Sequence, residues 1–311
     1  MRWLGPSAAV ATRVASHRPT AAEAAMKVFD RSTRKVRGRD VLHVMSGMSA
    51  GVSRTPGHLL IIDRSSVHIE EQATLVRAAG GRPIPEWVIL RELDDYRRAD
   101  IVMVPSSFAL RSFLERGFDP RRLRMTPLGV DLEEFPPTPV PPNSRPTLLS
   151  VGTWSLNKGS DRLVSVIERM PDARLLHVGS LGDLPFPASP QFRHVDSVPQ
   201  HELVRWYGAA DMLVHLTRQD GFALVLAQAL ACGLPVVCTA TSGGPDLQKR
   251  CPPGLVQIVD GSEPEAVLSA VQIGLAAAPV AGTVRRPLGD ARQLLSWDET
   301  AKAWCAAVGS R

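Results

Sequence analysis

The 311-residue sequence lacks the usual signatures of metal sites, disulfide frameworks and membrane spans. Its four cysteines, Cys232, Cys238, Cys251 and Cys305, form no C-x-x-C pair and have no histidine pair beside them. Scattered thiols of this kind argue against a zinc site and indicate a reducing compartment. No apolar run reaches the roughly 18–20 residues that cross a membrane, and the apolar segment near the N-terminus is too short for a secretory signal. We therefore expect a cytoplasmic protein with no bound metal.

Several catalytic motifs are also missing. The sequence contains no G-x-x-x-x-G-K-[ST], G-x-G-x-x-G or H-E-x-x-H motif. These absences argue against P-loop phosphoryl transfer, a standard dinucleotide fingerprint and the zinc peptidase class. Aromatic residues make up only 5% of the chain and do not interleave with its basic segments, so nucleic acid is a poor fit as a partner.

Positive charge is concentrated in the first half of the chain. Residues 1–150 contain 22 Lys and Arg against 16 Asp and Glu, a net charge of +6, whereas residues 151–311 contain 14 against 15, a net charge of −1. This asymmetry has two interpretations: a solvated face in an Arg-rich chain, or a surface attracted to anionic lipid headgroups or a phosphorylated acceptor. The second would place the protein at the inner face of the membrane.

A proline-rich segment divides the chain. Residues 136–146 contain six prolines in eleven positions, which predicts a stiff, extended linker. After it, short apolar runs alternate with amphipathic segments, the pattern of a parallel sheet covered by helices. The predicted strands there are 147–151, 173–178, 192–195, 211–216, 235–239 and 256–259, and the predicted helices are 160–170, 201–210, 222–232 and 264–278. In the first half, the predicted strands are 41–45, 59–62, 87–90 and 101–104, and the predicted helices are 67–78, 108–116 and, N-terminal to these, 21–37.

Two predicted strand ends in the second half carry candidate ligand-binding residues. Open α/β sheets bind ligands at the carboxyl ends of their strands. Lys158 follows the strand 147–151 and would neutralise a phosphate; it could equally be a surface residue in a turn. Asp220 and Gly221 precede a helix whose free N–H groups would bind an anion, although Asp220 could simply cap that helix. Gln228 lies two turns further on nearly the same face, as a ligand contact or as a buried amide.

These segments, in this order, resemble the donor domain of retaining GT-B glycosyltransferases of family 4, also called group 1. The similarity rests on Ser150-Val-Gly-x5-Lys158-Gly, Leu176-His-Val-Gly179, the stretch 201–211, Asp220-Gly-Phe-x-Leu-Val-Leu-Ala-Gln228 with the following Cys-Gly-Leu-Pro-Val-Val237, and Ser242-Gly-Gly-Pro. In the first half, Ala99-Asp100 through Ser106 and Pro127-Leu-Gly129-Val130-Asp131 are similar to the family's approach to the interdomain region. The resemblance covers roughly residues 40–260.

The resemblance implies two doubly wound, Rossmann-like domains that face a cleft, with no metal and no cofactor needed for transfer. The first domain is short, because the family's opening strand and Gly-rich loop have no counterpart here. The implied division is an acceptor-side domain at 1–135, the linker at 136–146, a nucleotide-sugar-binding domain at 147–285, and a C-terminal helix within 286–311 that packs back on the first domain.

Site residues follow from the same resemblance, position by position. Lys158 corresponds to the diphosphate contact, Asp220 to the carboxylate that holds the donor sugar, and Gln228 to the ribose contact, while His68 corresponds to a histidine beside the reacting sugar. The catalytic candidates are therefore His68, Lys158 and Asp220. The donor-binding candidates are Gly152, Thr153, Lys158, Val198, Leu203, Asp220, Gly221, Phe222, Ala223 and Gln228, and the interdomain candidates are Ser106, Gly129 and Asp131.

The sequence departs from the family pattern at its binding residues. Thr153 stands where the family has an Arg, Asp220 is one methylene shorter than the usual Glu, and Gln228 replaces a second Glu. Arg193 or Arg218 is a candidate to supply the missing cation.

The leading functional hypothesis is a glycosyltransferase that moves a sugar, with retention, from a UDP- or GDP-type donor to a saccharide or lipid-linked acceptor in surface polysaccharide biosynthesis. The alternatives are a catalytically impaired donor-binding protein that needs a partner, and a nucleotide-sugar epimerase. We expect His68 to lie at a strand end near the cleft rather than in the core.

Overall fold

Two parallel sheets, one on each side of the proline-rich segment, form the framework of the molecule. The computed structural model describes residues 19–33, 41–52, 57–276, 281–285 and 288–309. The first sheet has the order β1-β2-β3-β4 and the second the order β10-β9-β8-β5-β6-β7. The strands are β1 (Val41–Met45), β2 (Leu59–Asp63), β3 (Ile101–Val104), β4 (Leu123–Met125), β5 (Thr147–Val151), β6 (Arg174–Val178), β7 (Phe192–Val195), β8 (Met212–His215), β9 (Val236–Thr239) and β10 (Val256–Val259).

Helices cover both sheets, as the alternation of apolar runs and amphipathic segments predicts. They are α1 (Pro19–Thr33), α2 (Ile69–Ala78), α3 (Glu86–Arg98), α4 (Ser107–Leu114), α5 (Ser160–Ile167), α6 (Leu203–Ala209), α7 (Leu224–Ala231), α8 (Gly244–Gln248), α9 (Pro264–Ala276) and α10 (Trp297–Gly309). Short 3-10 helices occur at Pro120–Arg122, Gln200–Glu202 and Gly289–Leu295. Within the described residues, no helix is both long enough and apolar enough to cross a bilayer.

One predicted strand is wrong. Residues 87–90 lie in the first turns of α3, which begins after Pro85 and buries Glu92, Asp95 and Tyr96. The run Trp-Val-Ile-Leu is too short for its periodicity to distinguish a strand from one stretch of a helix. Leu90 is 57% exposed, because it lies on the solvent side of this helix. The strand that completes the first sheet is instead β4, which the sequence reasoning missed.

Parts of three predictions fall outside the described residues. The predicted helix at 21–37 appears as α1, and residues 34–37 lie outside the described part of the chain. The predicted helix 264–278 appears as α9, with 277 and 278 likewise outside. Residues 1–18, 34–40 and 53–56 of the basic first half, on whose charge the membrane interpretation rests, also lie outside the described residues.

The proline-rich segment runs along the second half of the molecule. The Thr138 N–H donates to the Cys232 carbonyl at 3.0 Å, and the Val140 N–H donates to the Thr283 carbonyl at 2.8 Å. The segment is therefore held by backbone hydrogen bonds at alternate positions, which its prolines, having no N–H, cannot make.

The last helix covers one face of the first sheet. In α10, Trp304, Ala307 and Val308 pack against the apolar side chains of Leu59, Ile61, Ile101 and Met103. The other face of this sheet packs against α2, α3 and α4 through a separate cluster that includes Leu60, Val102 and Phe113. Both faces are thus buried, as a parallel sheet requires.

Candidate functional site

The second sheet has a topological switch point between β5 and β8. From β5 the chain continues outward to β6 and β7, and from β8 it continues in the opposite direction to β9 and β10. Loops that leave such neighbouring strands in opposite directions open a crevice at their carboxyl ends, where open α/β sheets bind ligands. Lys158 lies in the loop after β5 and Asp220 in the loop after β8, so the fold brings these two predicted residues together.

Lys158 and Asp220 form an ion pair at this crevice. The Lys158 Nζ donates to Asp220 Oδ2. Burial raises the pKa of Asp220, but the nearby His215 imidazole and Lys158 ammonium outweigh burial and hold that pKa well below its usual range. Asp220 is therefore ionised at neutral pH, and Lys158 already has an anionic partner before any ligand is bound.

The second carboxylate oxygen of Asp220 caps the start of α7. Oδ1 accepts from the N–H of Ala223 at 2.8 Å and from the N–H of Phe222 at 3.3 Å. Ala223 has φ of 62°, a left-handed conformation uncommon for a residue with a Cβ. The prediction that Phe222 and Ala223 offer free N–H groups to a ligand is therefore wrong for this structure, because Asp220 occupies both.

His215 is a third polar group at this point, and the sequence reasoning missed it. It is the last residue of β8, is 5% exposed, and has its Nε2 3.6 Å from Asp220 Oδ2. Within the described part of the chain, Nε2 has no hydrogen-bond partner. A single histidine at the end of an apolar strand gives no sequence signal that separates it from a core residue.

Gly221 is where the two halves of the molecule meet. A Cβ placed on Gly221 would lie 2.0 Å from the Ser65 carbonyl oxygen and 2.6 Å from the Ser66 Cα. Only glycine fits such an approach, so Gly221 allows the two domains to come into contact.

Three hydrogen bonds reinforce the contact between the domains. The Ser106 Oγ donates to the Gly221 carbonyl, as expected for a predicted interdomain residue. The Gln219 Nε2 donates to Ser66 Oγ at 2.6 Å, and the Ser107 N–H at the start of α4 donates to Asp246 Oδ2 at 2.8 Å.

Gln228 lies inside the second domain. It is 3% exposed, and its Oε1 accepts from the Tyr207 hydroxyl at 2.9 Å. This geometry matches the buried-amide alternative, with a side chain rather than the backbone as partner. Val198 and Leu203, two of the donor-binding candidates, are half-buried and pack against the main apolar cluster of the second domain.

Gly152 and Thr153 border open space after β5. Gly152 has φ of 130°, and a Cβ there would meet no atom within 4 Å. Its carbonyl accepts from His177 Nε2 at 2.9 Å, and Thr153 Oγ1 lies 3.1 Å from Ser180 Oγ. The Gly152 backbone is thus fixed by a buried histidine while its outer side stays accessible.

Neither candidate for the missing cation lies free at the crevice. Arg218 forms a bidentate ion pair with Asp161, with both N···O distances at 2.7 Å. Arg193 is exposed, and its guanidinium lies 6.0 Å from the centre of the Trp206 ring.

His68 is in the core, against the expectation that it faces the cleft. Its ring packs 5.1 Å from Tyr96 and 4.8 Å from Phe113, centre to centre, and its Nδ1 accepts weakly from the Glu70 N–H at the start of α2. Burial and the charges of Arg116 and Arg64 lower the pKa of His68 to about 4. The hydrophobic neighbours come from α3 and α4, which sequence reasoning did not place beside it.

The other two interdomain candidates have structural contacts. A Cβ on Gly129 would lie 2.5 Å from the Cα of Trp297, so this glycine lets the C-terminal segment approach. Asp131 Oδ1 accepts from the N–H groups of Glu133 and Glu134 at 2.9 and 3.1 Å, which fixes the turn that leads to the proline-rich segment.

A buried polar network holds the loop after β1. Arg64 pairs with Glu92 at 3.0 Å, and Glu92 accepts from the hydroxyls of Ser46 and Tyr96. Asp95, fully buried, accepts from the Gly47 N–H at 2.7 Å, and burial raises its pKa. The contacts from Ser46 to Glu92 and from Gly47 to Asp95 span 46 and 48 residues in sequence, so no local pattern predicts them.

A cavity of about 270 Å³ lies away from this crevice, at the C-terminal end of α7. Arg285 and Arg292 line it, but their guanidiniums donate to backbone carbonyls such as Ala210 and Ala231, as caps of helix ends. Within the described residues, no cluster of three or more His, Cys, Asp or Glu could hold a metal ion.

Several known proteins are similar to this chain in sequence. Residues 145–275 match the family model "Glycosyl transferases group 1". The chain is 28% identical over 255 residues to a D-inositol 3-phosphate glycosyltransferase of Xylanimonas cellulosilytica, an alignment that covers 73% of this chain and 60% of that protein. It is 28% identical over 179 residues to the sulfoquinovosyl transferase SQD2 of Arabidopsis thaliana, covering 52% of this chain and 34% of SQD2. The chain thus spans between a third and three fifths of the length of these curated relatives.

Solved structures share the fold at low sequence identity. Sucrose-phosphate synthase from Thermosynechococcus elongatus superposes with a TM-score of 0.71 at 23% identity, over 91% of this chain and 76% of that chain. Anabaena HepE, solved in complex with UDP and glucose, gives a TM-score of 0.68 at 12% identity over 93% and 82% of the two chains. WaaG, a glycosyltransferase of lipopolysaccharide biosynthesis, gives 0.60 at 17% identity over 94% and 85%. The chain therefore has the GT-B fold and is related in sequence to glycosyltransferases.

Proposed function

We propose that this chain is a retaining glycosyltransferase of family 4 that binds a nucleoside-diphosphate sugar at the crevice between β5 and β8. The observation that carries the proposal is the position of Lys158. It is a cation at the topological switch point of the second sheet, in a segment that matches the group 1 family model. Ammonium groups at such a place neutralise diphosphates.

The proposed reaction breaks the bond between the sugar C1 and the β-phosphate oxygen, and forms a bond from C1 to an acceptor hydroxyl with the same anomeric configuration. The proton of that hydroxyl leaves with the nucleoside diphosphate. Negative charge develops on the departing phosphate, and Lys158 would stabilise it electrostatically, without a metal or another cofactor. Asp220 would remain as the carboxylate beside the sugar.

The acceptor and the location belong to the same proposal. We propose a saccharide or lipid-linked acceptor, a role in surface polysaccharide assembly, and a cytoplasmic protein at the inner membrane face. The net charge of +6 in residues 1–150 supports contact with an anionic surface.

The test has two stages. Thermal unfolding with UDP and with GDP measures nucleoside-diphosphate binding, because a ligand that binds only the folded chain raises the midpoint. Incubation of the preferred nucleotide sugar with candidate acceptors, followed by NMR of the anomeric proton, then measures transfer and configuration. A chain that binds neither diphosphate would contradict the proposal.

One observation favours a second candidate, a donor-binding protein without transfer activity. Thr153 occupies the place of a family cation, and Asp220 already occupies the N–H groups at the start of α7. This candidate predicts diphosphate binding without transfer to any acceptor of the panel.

A further inference from the structure

We propose that His215 is a positioning residue of the donor site, whose Nε2–H becomes the hydrogen-bond donor to Asp220 when a nucleoside diphosphate draws Lys158 away. The inference rests on the proposed function, because it takes a diphosphate as the ligand of Lys158. It adds a residue that neither the family resemblance nor the sequence assigns to the site.

The His215 Nε2 is buried and, among the described residues, makes no hydrogen bond. The residue is 5% exposed. A buried polar nitrogen without a partner costs about 1–3 kcal/mol, so such a group needs an explanation in a folded protein. The polar atom it approaches is Asp220 Oδ2, at 3.6 Å.

Asp220 is held in place independently of Lys158. Its Oδ1 accepts from the N–H groups of Phe222 and Ala223, which fixes the carboxylate at the start of α7. Oδ2 therefore stays where it is when its partner changes. At 3.6 Å, Nε2 is some tenths of an ångström beyond hydrogen-bond distance, a gap that a small ring movement closes.

Lys158 is the most exposed of the three side chains. Its side chain is 31% exposed, whereas that of His215 is 5% exposed and that of Asp220 is 19% exposed. The ammonium lies on a flexible four-carbon stem in a loop, so it can turn toward a diphosphate in the crevice. A carboxylate that loses its partner in a mostly buried place is destabilised unless another donor replaces it. His215 is placed to be that donor.

A ligand-free experiment tests this exchange directly. Lys158→Met removes the ammonium and keeps a chain of similar length. We expect the His215 Nε2–H proton to move downfield and to exchange more slowly with water, as read by ¹H–¹⁵N NMR of the imidazole signals assigned with His215→Gln. Lys249→Met, a change at an exposed lysine at the end of α8, is the matched control and should leave the signal unchanged. Identical His215 signals in wild type and Lys158→Met would overturn the inference.

A second arm separates this inference from the proposed function. UDP or GDP added to the wild-type chain should produce the same His215 change as Lys158→Met. If a diphosphate binds and the His215 signal stays as in the free protein, the positioning role is wrong while the donor site stands. If neither diphosphate binds but Lys158→Met moves the signal, the proposed function fails and the exchange of partners stands.

A third arm measures what the hydrogen bond contributes to affinity. His215→Phe keeps an aromatic ring and removes the donor, and it should weaken diphosphate binding about tenfold, the scale of a hydrogen bond to a charged group. His215→Gln keeps an N–H donor and should restore most of that affinity. Equal affinities for the Phe and Gln variants would contradict a hydrogen-bonding role, since a purely structural ring is not rescued by an amide.

Discussion

The hydroxyl of Tyr207 donates a hydrogen bond of 2.9 Å to the Oε1 of Gln228, and the two side chains are 0% and 3% exposed. Within the described residues this is the hydrogen bond that the Gln228 side chain makes. A carboxylate oxygen at the same place would accept from the same hydroxyl. The Tyr207 hydroxyl would therefore supply a hydrogen bond to a glutamate at position 228.

We expect Gln228→Glu to fold and to bind a nucleoside diphosphate more tightly by about 1 kcal/mol, if position 228 contacts the ribose, because a carboxylate is the stronger acceptor. Calorimetric titration measures the affinity, and urea unfolding measures the stability. In a Tyr207→Phe background, the same change buries the new carboxylate without a hydrogen-bond donor. The unfolding free energy should therefore fall by several kcal/mol. A loss of stability in Gln228→Glu alone, with no gain in affinity, would make Gln228 a structural amide only.

Lys158→Ala should weaken diphosphate binding by about 1.5–3 kcal/mol, the contribution of a charge-assisted hydrogen bond. The unfolding free energy should fall by about 1 kcal/mol or less, because partly exposed ion pairs contribute little. The control is Lys249→Ala, which changes the net charge by the same amount at an exposed site. Equal affinities for the two variants would show that Lys158 is an ordinary surface lysine.

His68 predicts a dependence of stability on pH. Its pKa is about 4 in the folded chain, against about 6.5 when unfolded. As the pH falls below 6.5, the unfolded chain binds a proton that the folded chain does not, so the contribution of His68 is lost between pH 6.5 and 4. The loss should be about 3 kcal/mol of unfolding free energy, measured by urea unfolding across this range.

His68→Asn is the matched variant, because its amide oxygen can still accept from the Glu70 N–H at the start of α2. It should flatten the pH dependence of stability. Transfer measured at pH 8, where His68 is neutral in both states, then isolates any role in the reaction. Full transfer by His68→Asn at that pH would exclude His68 from catalysis and leave it as a core residue.

Gly221→Ala should separate the domains. Its Cβ would lie 2.0 Å from the Ser65 carbonyl oxygen, a backbone atom that cannot turn aside. We expect a larger radius of gyration by small-angle X-ray scattering and a loss of about 1–3 kcal/mol of unfolding free energy. Gly309→Ala, where an added Cβ meets no atom within 4 Å, is the control. Superimposable scattering curves for the wild type and Gly221→Ala would contradict a domain contact at this glycine.

The second sheet was predictable from sequence because its strands are short, apolar on both faces and separated by clear helices. The first half was harder for a physical reason. The run at 87–90 is as apolar as a strand, and the side chains that α3 actually buries there include Glu92 and Asp95. Charged residues turned inward reverse the usual pattern, and only their partners Arg64, Ser46 and Ser49 make their burial favourable.

The proximity of the candidate residues Lys158 and Asp220 was predictable from sequence, but their contacts were not. Strand ends and glycines locate Lys158 and Asp220, and the order of strands then brings them together. Whether Lys158 reaches into solvent or to Asp220, and whether His68 faces a crevice or the rings of Tyr96 and Phe113, depends on side chains distant in sequence. Local patterns carry no information on such contacts.

The reversal of strand order between β5 and β8 also sets when the crevice can exist. Lys158 and Asp220 are 62 residues apart, and β5 meets β8 only after β6, β7 and their connections have been made. During synthesis the lysine emerges well before its carboxylate, and closing a long loop is slow relative to forming local helices. We therefore expect the crevice to form late in folding, and a ligand that contacts both loops would stabilise the finished second sheet rather than nucleate it.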